Sequence, residues 1–211
     1  MHLTVVLFVA VMLALPPAPA SAQVRFEVSA GAAGTGAVVR DPIATGSVRD
    51  SIPGVQDELS ASFATAPRLG IGVVLPMRTR TEAVMRVSWS PSSMQVQEDG
   101  GTRDVADVGI FEALLGVRSR VWRALELSGG FGGLYFNGDD AGPFSGGADI
   151  APVLEGGFGA GADRAGHRLH VRGIVQLHRF NTDALQNARI SGGSVVRYGI
   201  ETSLTWKGGA R

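Results

Sequence analysis

Polar and apolar residues alternate one by one over long stretches of this chain. The pattern is clearest from Val195 to Trp206, where Val196, Tyr198, Ile200, Leu204 and Trp206 fall on one face. Arg197, Gly199, Glu201, Ser203 and Thr205 fall on the other. Successive side chains of a strand point to opposite sides, so this period of two predicts a strand with one apolar and one charged face. Seven earlier stretches repeat it: 24–32, 67–75, 81–90, 108–118, 124–136, 150–162 and 168–178. In each, residues such as Leu69, Ile71 and Val73, or Met85, Val87 and Trp89, oppose Arg, Glu, Ser and Gly. Eight strands of roughly 9–11 residues are each long enough to cross a bilayer when tilted.

The connections alternate in length. Short ones are expected at 76–80, 119–123 and 163–167, and long ones at 33–66, 91–107, 137–149 and 179–194. The long ones are rich in Gly, Pro, Asp and Asn, the residues of turns. Both chain ends fall on the short-turn side. The expected fold is all-β, an eight-stranded antiparallel up-and-down transmembrane β-barrel, because a sheet in lipid cannot keep an open edge. A soluble barrel with its apolar faces inward is the competing architecture. Arg and Glu interleaved with Gly and Ser on the polar faces suit a narrow, ion-paired interior instead.

Composition narrows the picture. The 211 residues carry 19 basic and 19 acidic side chains and no cysteine, so no disulfide framework and no thiolate metal site is expected, and no charge excess points to nucleic acid. Of the thirty glycines, fifteen sit within the alternating stretches, as a tightly curved sheet requires. Residues 1–22 read as a signal peptide: Val5 to Leu15 is apolar but short, prolines follow, and Ala20-Ser21-Ala22 offers small residues for cleavage before Gln23. Residues 23–211 are then a single barrel domain, exported to the outer membrane.

With these features the chain resembles the eight-stranded outer-membrane barrels, such as the OmpX family and the transmembrane domain of OmpA. The resemblance rests on the strand count, the loop asymmetry and the last strand VVRYGIETSLTW. It implies contact with outer-membrane lipid and lipopolysaccharide. It also implies recognition of the aromatic-ended last strand by the outer-membrane assembly machinery; Trp206 fits that role, although Lys207 to Arg211 follow it. The partner of the loops is not specified. A second resemblance is local. Lipid A deacylases carry a His-x-Ser-Asn motif, and His178-Arg179-Phe180-Asn181 is similar to it, with Phe180 at the nucleophile position. Phenylalanine cannot attack an ester.

No metal, nucleotide or nucleophile motif stands out, and no cofactor is expected. Two sets of residues are candidates for structural work. Arg86, Glu112, Glu155, Arg172 and Glu201 fall at similar depths on their polar faces and are expected to form an ion-paired plug. Phe26, Trp89, Tyr135, Phe158, Tyr198 and Trp206 are expected to form aromatic girdles at the membrane interfaces. The expected function is non-enzymatic, a structural or interaction role through the four long loops. The alternatives are a lipid-modifying enzyme related to the deacylases, or a narrow transporter of small hydrophobic molecules.

Overall fold

The computed structural model describes residues 23–36, 39–40, 60–98, 101–138, 150–180 and 194–207. The proposed signal peptide lies outside the described residues. Ten strands run in chain order: β1 (Arg25–Thr35), β2 (Val39–Arg40), β3 (Ser60–Phe63), β4 (Ala66–Arg78), β5 (Thr81–Glu98), β6 (Gly101–Trp122), β7 (Leu125–Gly138), β8 (Ala151–Arg164), β9 (His167–Arg179) and β10 (Ser194–Lys207). Eight of them close a barrel. Each pairs antiparallel with its sequence neighbours, β1 joins β10 over Arg25↔Lys207 to Thr35↔Arg197, and β5 joins β6. The short β2 and β3 extend the wall beside the upper part of β5.

The barrel is inverted relative to a water-soluble one. Arg68, Arg86, Glu112 and Glu201 are only 1–2% exposed, whereas Ile71, Leu154 and Phe158 are 62–67% exposed. Burying charges while presenting a continuous apolar wall is unfavourable in water and favourable in lipid. The 13 residues of β9, at about 3.4 Å each and a tilt near 45°, rise about 30 Å, the thickness of a bilayer core. This polarity excludes the soluble barrel.

The short connections are tighter than the sequence suggests. Each is a two-residue turn: Thr79–Arg80, Arg123–Ala124 and Ala165–Gly166. Ala165 (φ 48°) and Gly166 (φ 82°) both occupy the left-handed region, as a type I′ hairpin turn demands. The expected long connection at 91–107 is instead mostly strand. β5 and β6 run on as a hairpin to Glu98↔Gly101, and at the same tilt the 22 residues of β6 rise about 50 Å, well beyond the membrane. The sequence there is mostly polar and carries only a brief alternation, Met94 and Val96 against Gln95 and Gln97, yet cross-strand pairing holds it.

Glycines set the wall's curvature. A Cβ on the inward-facing Gly132 would lie 1.9 Å from the Ala113 carbonyl oxygen, and one on Gly159 would lie 2.2 Å from that of Val171. These strands coil past each other more closely than any side chain allows.

The facing makes a direct expectation. Val175 is half-exposed at the middle of β9, and Val121 faces outward beside a short turn. Val175→Arg is expected to cost about 2–4 kcal/mol of stability in lipid, and Val121→Arg about 0–1 kcal/mol. Urea unfolding in vesicles measures both; equal costs would contradict the assigned depths.

Candidate functional site

The barrel interior is built in three tiers. In mid-barrel, inward positions of five strands bring Arg68, Arg86, Glu112, Glu155 and Glu201 together. Arg86 spans the lumen, donating to Glu155 at 2.8 Å, Glu201 at 3.2 Å and Glu112 at 3.3 Å. Arg68 donates to Glu201 at 3.0 Å and also to Glu112. Arg172 joins Glu201 from the neighbouring strand, at 2.7 Å, where the two residues are directly paired in register. Gln176 donates to Glu112 at 2.7 Å and Glu155 at 2.8 Å. Arg197 stands 3.7 Å from Glu112. Gly31, Gly70, Gly72 and Gly132 face inward on intervening positions and leave room for the guanidinium groups. Each buried charge thus meets opposite charge, without which burial would be prohibitive.

The structure therefore places the five residues proposed for the plug in one network. Alternation put Arg68, Gln176 and Arg197 on inward faces too, but their membership could not be read from sequence. It depends on strand stagger around the barrel, and Arg86 reaches Glu112 only diagonally, since Ser88 is the direct partner of Glu112.

A second charged tier lies toward the short turns. Arg118 bridges Glu27 at 2.7 Å and Glu82 at 3.0 Å, and Glu82 also meets Arg25 at 3.0 Å. On the other side Glu126 holds His170 at 2.8 Å and is paired with Arg168.

Toward the long connections the interior changes character. Phe63, Met94, Val108, Ile110, Leu134 and Phe136 pack with Val153, Phe180 and Val195 in one buried apolar cluster. Phe63 stacks on Phe136 at 5.5 Å, and Phe180 meets both edge-on at 5.2–5.3 Å. This apolar chamber, filled by its own packed side chains, was missed in the sequence, although a signal exists. Both faces turn apolar near the strand tops, as in Leu134-Tyr135-Phe136 and Val195-Val196. His178 faces inward beside Phe136, at 5.7 Å, and Phe180 belongs to the cluster; Asn181 lies outside the described residues.

The wall beside this chamber has a seam. β4 pairs with β5 up to Leu69↔Trp89, and β3 pairs with β5 from Phe63↔Met94. Residues 64–68 and 90–93 make no regular ladder with each other, although 66–68 pair with β1 and 90–93 pair with β6. Pro67 and Pro91 sit there, and neither has an N–H to donate. The strands are held instead by the Ser90 hydroxyl donating to the Pro67 carbonyl at 2.8 Å, the Ser92 hydroxyl donating to the Ala64 carbonyl at 2.9 Å, and the Ala64 N–H donating to the Ser93 carbonyl at 2.8 Å.

Outside, all six residues proposed for the girdles project from the wall or rest on it. Phe26 and Trp206 meet at 6.3 Å near the short-turn end. Trp89, Tyr135 and Tyr198 are 42–55% exposed nearer the other end, and Phe158 stands at the middle of β8.

No protein-family model matches the chain, and no curated protein matches it. Solved structures do. The outer membrane protein OprG from Pseudomonas aeruginosa is 13% identical, with 90% of this chain covering 98% of that one at a TM-score of 0.50. The outer membrane protein AlkL, solved in DMPC bilayers, is also 13% identical, with 93% covering 97% at a TM-score of 0.52. The chain has the fold of an outer-membrane β-barrel. For such a barrel the short turns are periplasmic and the long connections extracellular. The narrower resemblance to OmpX and OmpA is carried by sequence features alone.

The network makes an asymmetric expectation. Glu201 serves three arginines, whereas Arg172 is bound to Glu201 alone among the ion pairs of the described residues. Removing one partner of a buried pair costs about 3–5 kcal/mol when the other is left uncompensated. Glu201→Ala is expected to fall in that range, and Arg172→Ala well below it. In the double variant part of the Glu201→Ala loss is recovered, with a coupling of about 0.5–3 kcal/mol. Urea unfolding in vesicles reads the cycle; zero coupling would mean that the two are not partners.

Proposed function

We propose that this barrel passes small hydrophobic molecules from the outside into the membrane, and that it does so without chemistry. The observation that carries this reading is the packed apolar cluster in the upper lumen, resting on a charged floor beside the seam. An apolar solute that parts the side chains of Phe63, Ile110, Leu134 and Phe136 and lodges among them gains roughly 25 cal/mol per Å² of its apolar surface removed from water. The ion-paired floor opposes further axial movement, since separating its charges costs far more than the solute returns. Residues 64–68 and 90–93 lack a backbone ladder with each other beside the cluster, on the long-connection side of Trp89 and so at the outer edge of the membrane.

A structural or loop-mediated role is the simpler expectation from sequence, and it gives no account of why the upper interior is apolar rather than polar. Deacylation is disfavoured by Phe180, which packs inside the chamber where a nucleophile would have to face a lipid ester.

The two prolines give the test. Pro67→Ala with Pro91→Ala supplies two amide donors to the seam. Each new backbone bond is worth about 0.5–1.5 kcal/mol. The alanines also loosen the unfolded chain by about 0.4–1 kcal/mol each, so overall stability is expected to change little. The readout is the rate at which a small apolar fluorophore added outside reaches the membrane of reconstituted vesicles. The native protein is expected to accelerate it above protein-free vesicles, and the double variant to return it toward that background. A native barrel no faster than protein-free vesicles would leave the structural role in its place.

A further inference from the structure

The charges are not evenly distributed along the barrel axis. The four long connections, 33–66, 91–107, 137–149 and 179–194, hold twelve acidic and five basic residues. The three short connections, 76–80, 119–123 and 163–167, hold five arginines and one acidic residue. In a chain of zero net charge, the sequence beside the short turns is thus basic.

The basic end is also unpaired. Within the lumen the arginines are matched to glutamates. At the rim, Arg78, Arg80, Arg123 and Arg164 are exposed, and among the described residues none of them has a carboxylate partner. They come from all three periplasmic turns, which follow one another round the rim because β5 pairs with β6 and β7 with β8. Like charges gathered this way repel one another unless an anion sits among them. The lumen mouth is separate from this outer rim: its recess of about 160 Å³ is lined by Glu82, Arg118, Glu126 and Arg168 as well as Arg78 and Arg80, and its carboxylates are already paired with arginines.

The neighbourhood identifies the anion. Trp122 is 65% exposed on the lipid-facing side, and the Arg123 guanidinium lies over its ring, 5.2 Å from the centroid. Phe26 and Trp206 pair at the same end. Arg123 therefore stands where the apolar wall ends and the headgroup layer begins, the depth that interfacial aromatics mark, and Arg78, Arg80 and Arg164 lie at the other turns of the same end. A soluble partner would meet the turns end-on, not beside a lipid-facing tryptophan.

We propose that the periplasmic rim binds phosphate headgroups of the inner leaflet, with preference for anionic phospholipid. The rim fixes the barrel's depth in the membrane and surrounds it with a shell of anionic lipid. This site is independent of the passage of apolar molecules.

The folded mature protein is placed in nanodiscs containing a minority of phosphatidylglycerol in phosphatidylcholine, and the lipids it retains are identified by native mass spectrometry. Phosphatidylglycerol is expected to be enriched roughly two- to fivefold over its bulk share, the effect of one or a few basic residues at a charged surface. The enrichment should shrink at high salt. In the variant Arg78→Gln, Arg80→Gln, Arg123→Gln, Arg164→Gln it should vanish while the barrel still migrates as a folded species before heating. Should that variant not fold, Arg123→Gln alone is expected to lose part of the enrichment. Retention in bulk proportion by the native protein would overturn the proposal, as would enrichment unchanged in the variant that folds. Displacement by inorganic phosphate at constant ionic strength would also overturn it, by reassigning the rim to free anions.

Discussion

Charge pairing across the lumen is the constraint on which the rest of this barrel depends. Eight strands enclose an interior just wide enough to be filled by side chains. Here the middle is filled with Arg68, Arg86, Glu112, Glu155 and Glu201, all nearly inaccessible. Such groups tolerate burial only with partners, so strand register must bring inward positions of β4, β5, β6, β8 and β10 to one level. The glycines on adjacent inward positions follow from the same requirement, since guanidinium groups occupy the space that side chains would otherwise take. One register slip would turn every charge toward lipid and every apolar residue toward the lumen. The network thus specifies the barrel more strictly than an apolar filling would.

Above this floor the interior becomes apolar, and the wall beside it is bonded by serine hydroxyls in place of a continuous ladder. The two features are neighbours for a physical reason. Prolines are excluded from the middle of a fully paired sheet, and Pro67 and Pro91 are accommodated only because Ser90 and Ser92 occupy the carbonyls left without amide donors. A wall segment held by rotatable side chains opens at lower cost than one held by backbone pairs. The proposed sideways passage of an apolar molecule rests on these three features together: charged floor, apolar cluster and serine-bonded wall.

Much of this was legible in the sequence, and the reasons for the rest are specific. The alternation in stretches such as Arg197 to Trp206 fixes strands, facing and the inverted polarity, because a period of two leaves no other arrangement in lipid. Partner identity was only partly legible. Arg172 and Glu201 sit opposite each other on adjacent strands and could be matched by counting from the turn, but Arg68 reaches Glu201 across β1 and depends on the stagger of the closed barrel. The chamber was hidden because Val108, Ile110 and Leu134 lie on faces that are polar lower down. The β5–β6 extension was hidden because only a short alternation, Met94 and Val96 against Gln95 and Gln97, marks it among Ser, Gly and Asp.

The central claim is that apolar molecules reach the chamber and leave through the wall above the charged floor. A small apolar diazirine probe, photoactivated in the presence of the folded barrel in vesicles and mapped by peptide mass spectrometry, tests it most directly. Inside the lumen, label is expected on Phe63, Met94 and Phe136 and along residues 64–68 and 90–93 of the seam. None is expected on Ser203 or Thr205, which face the lumen below the floor. Label on Ser203 and Thr205, or a chamber that takes none, would contradict the account.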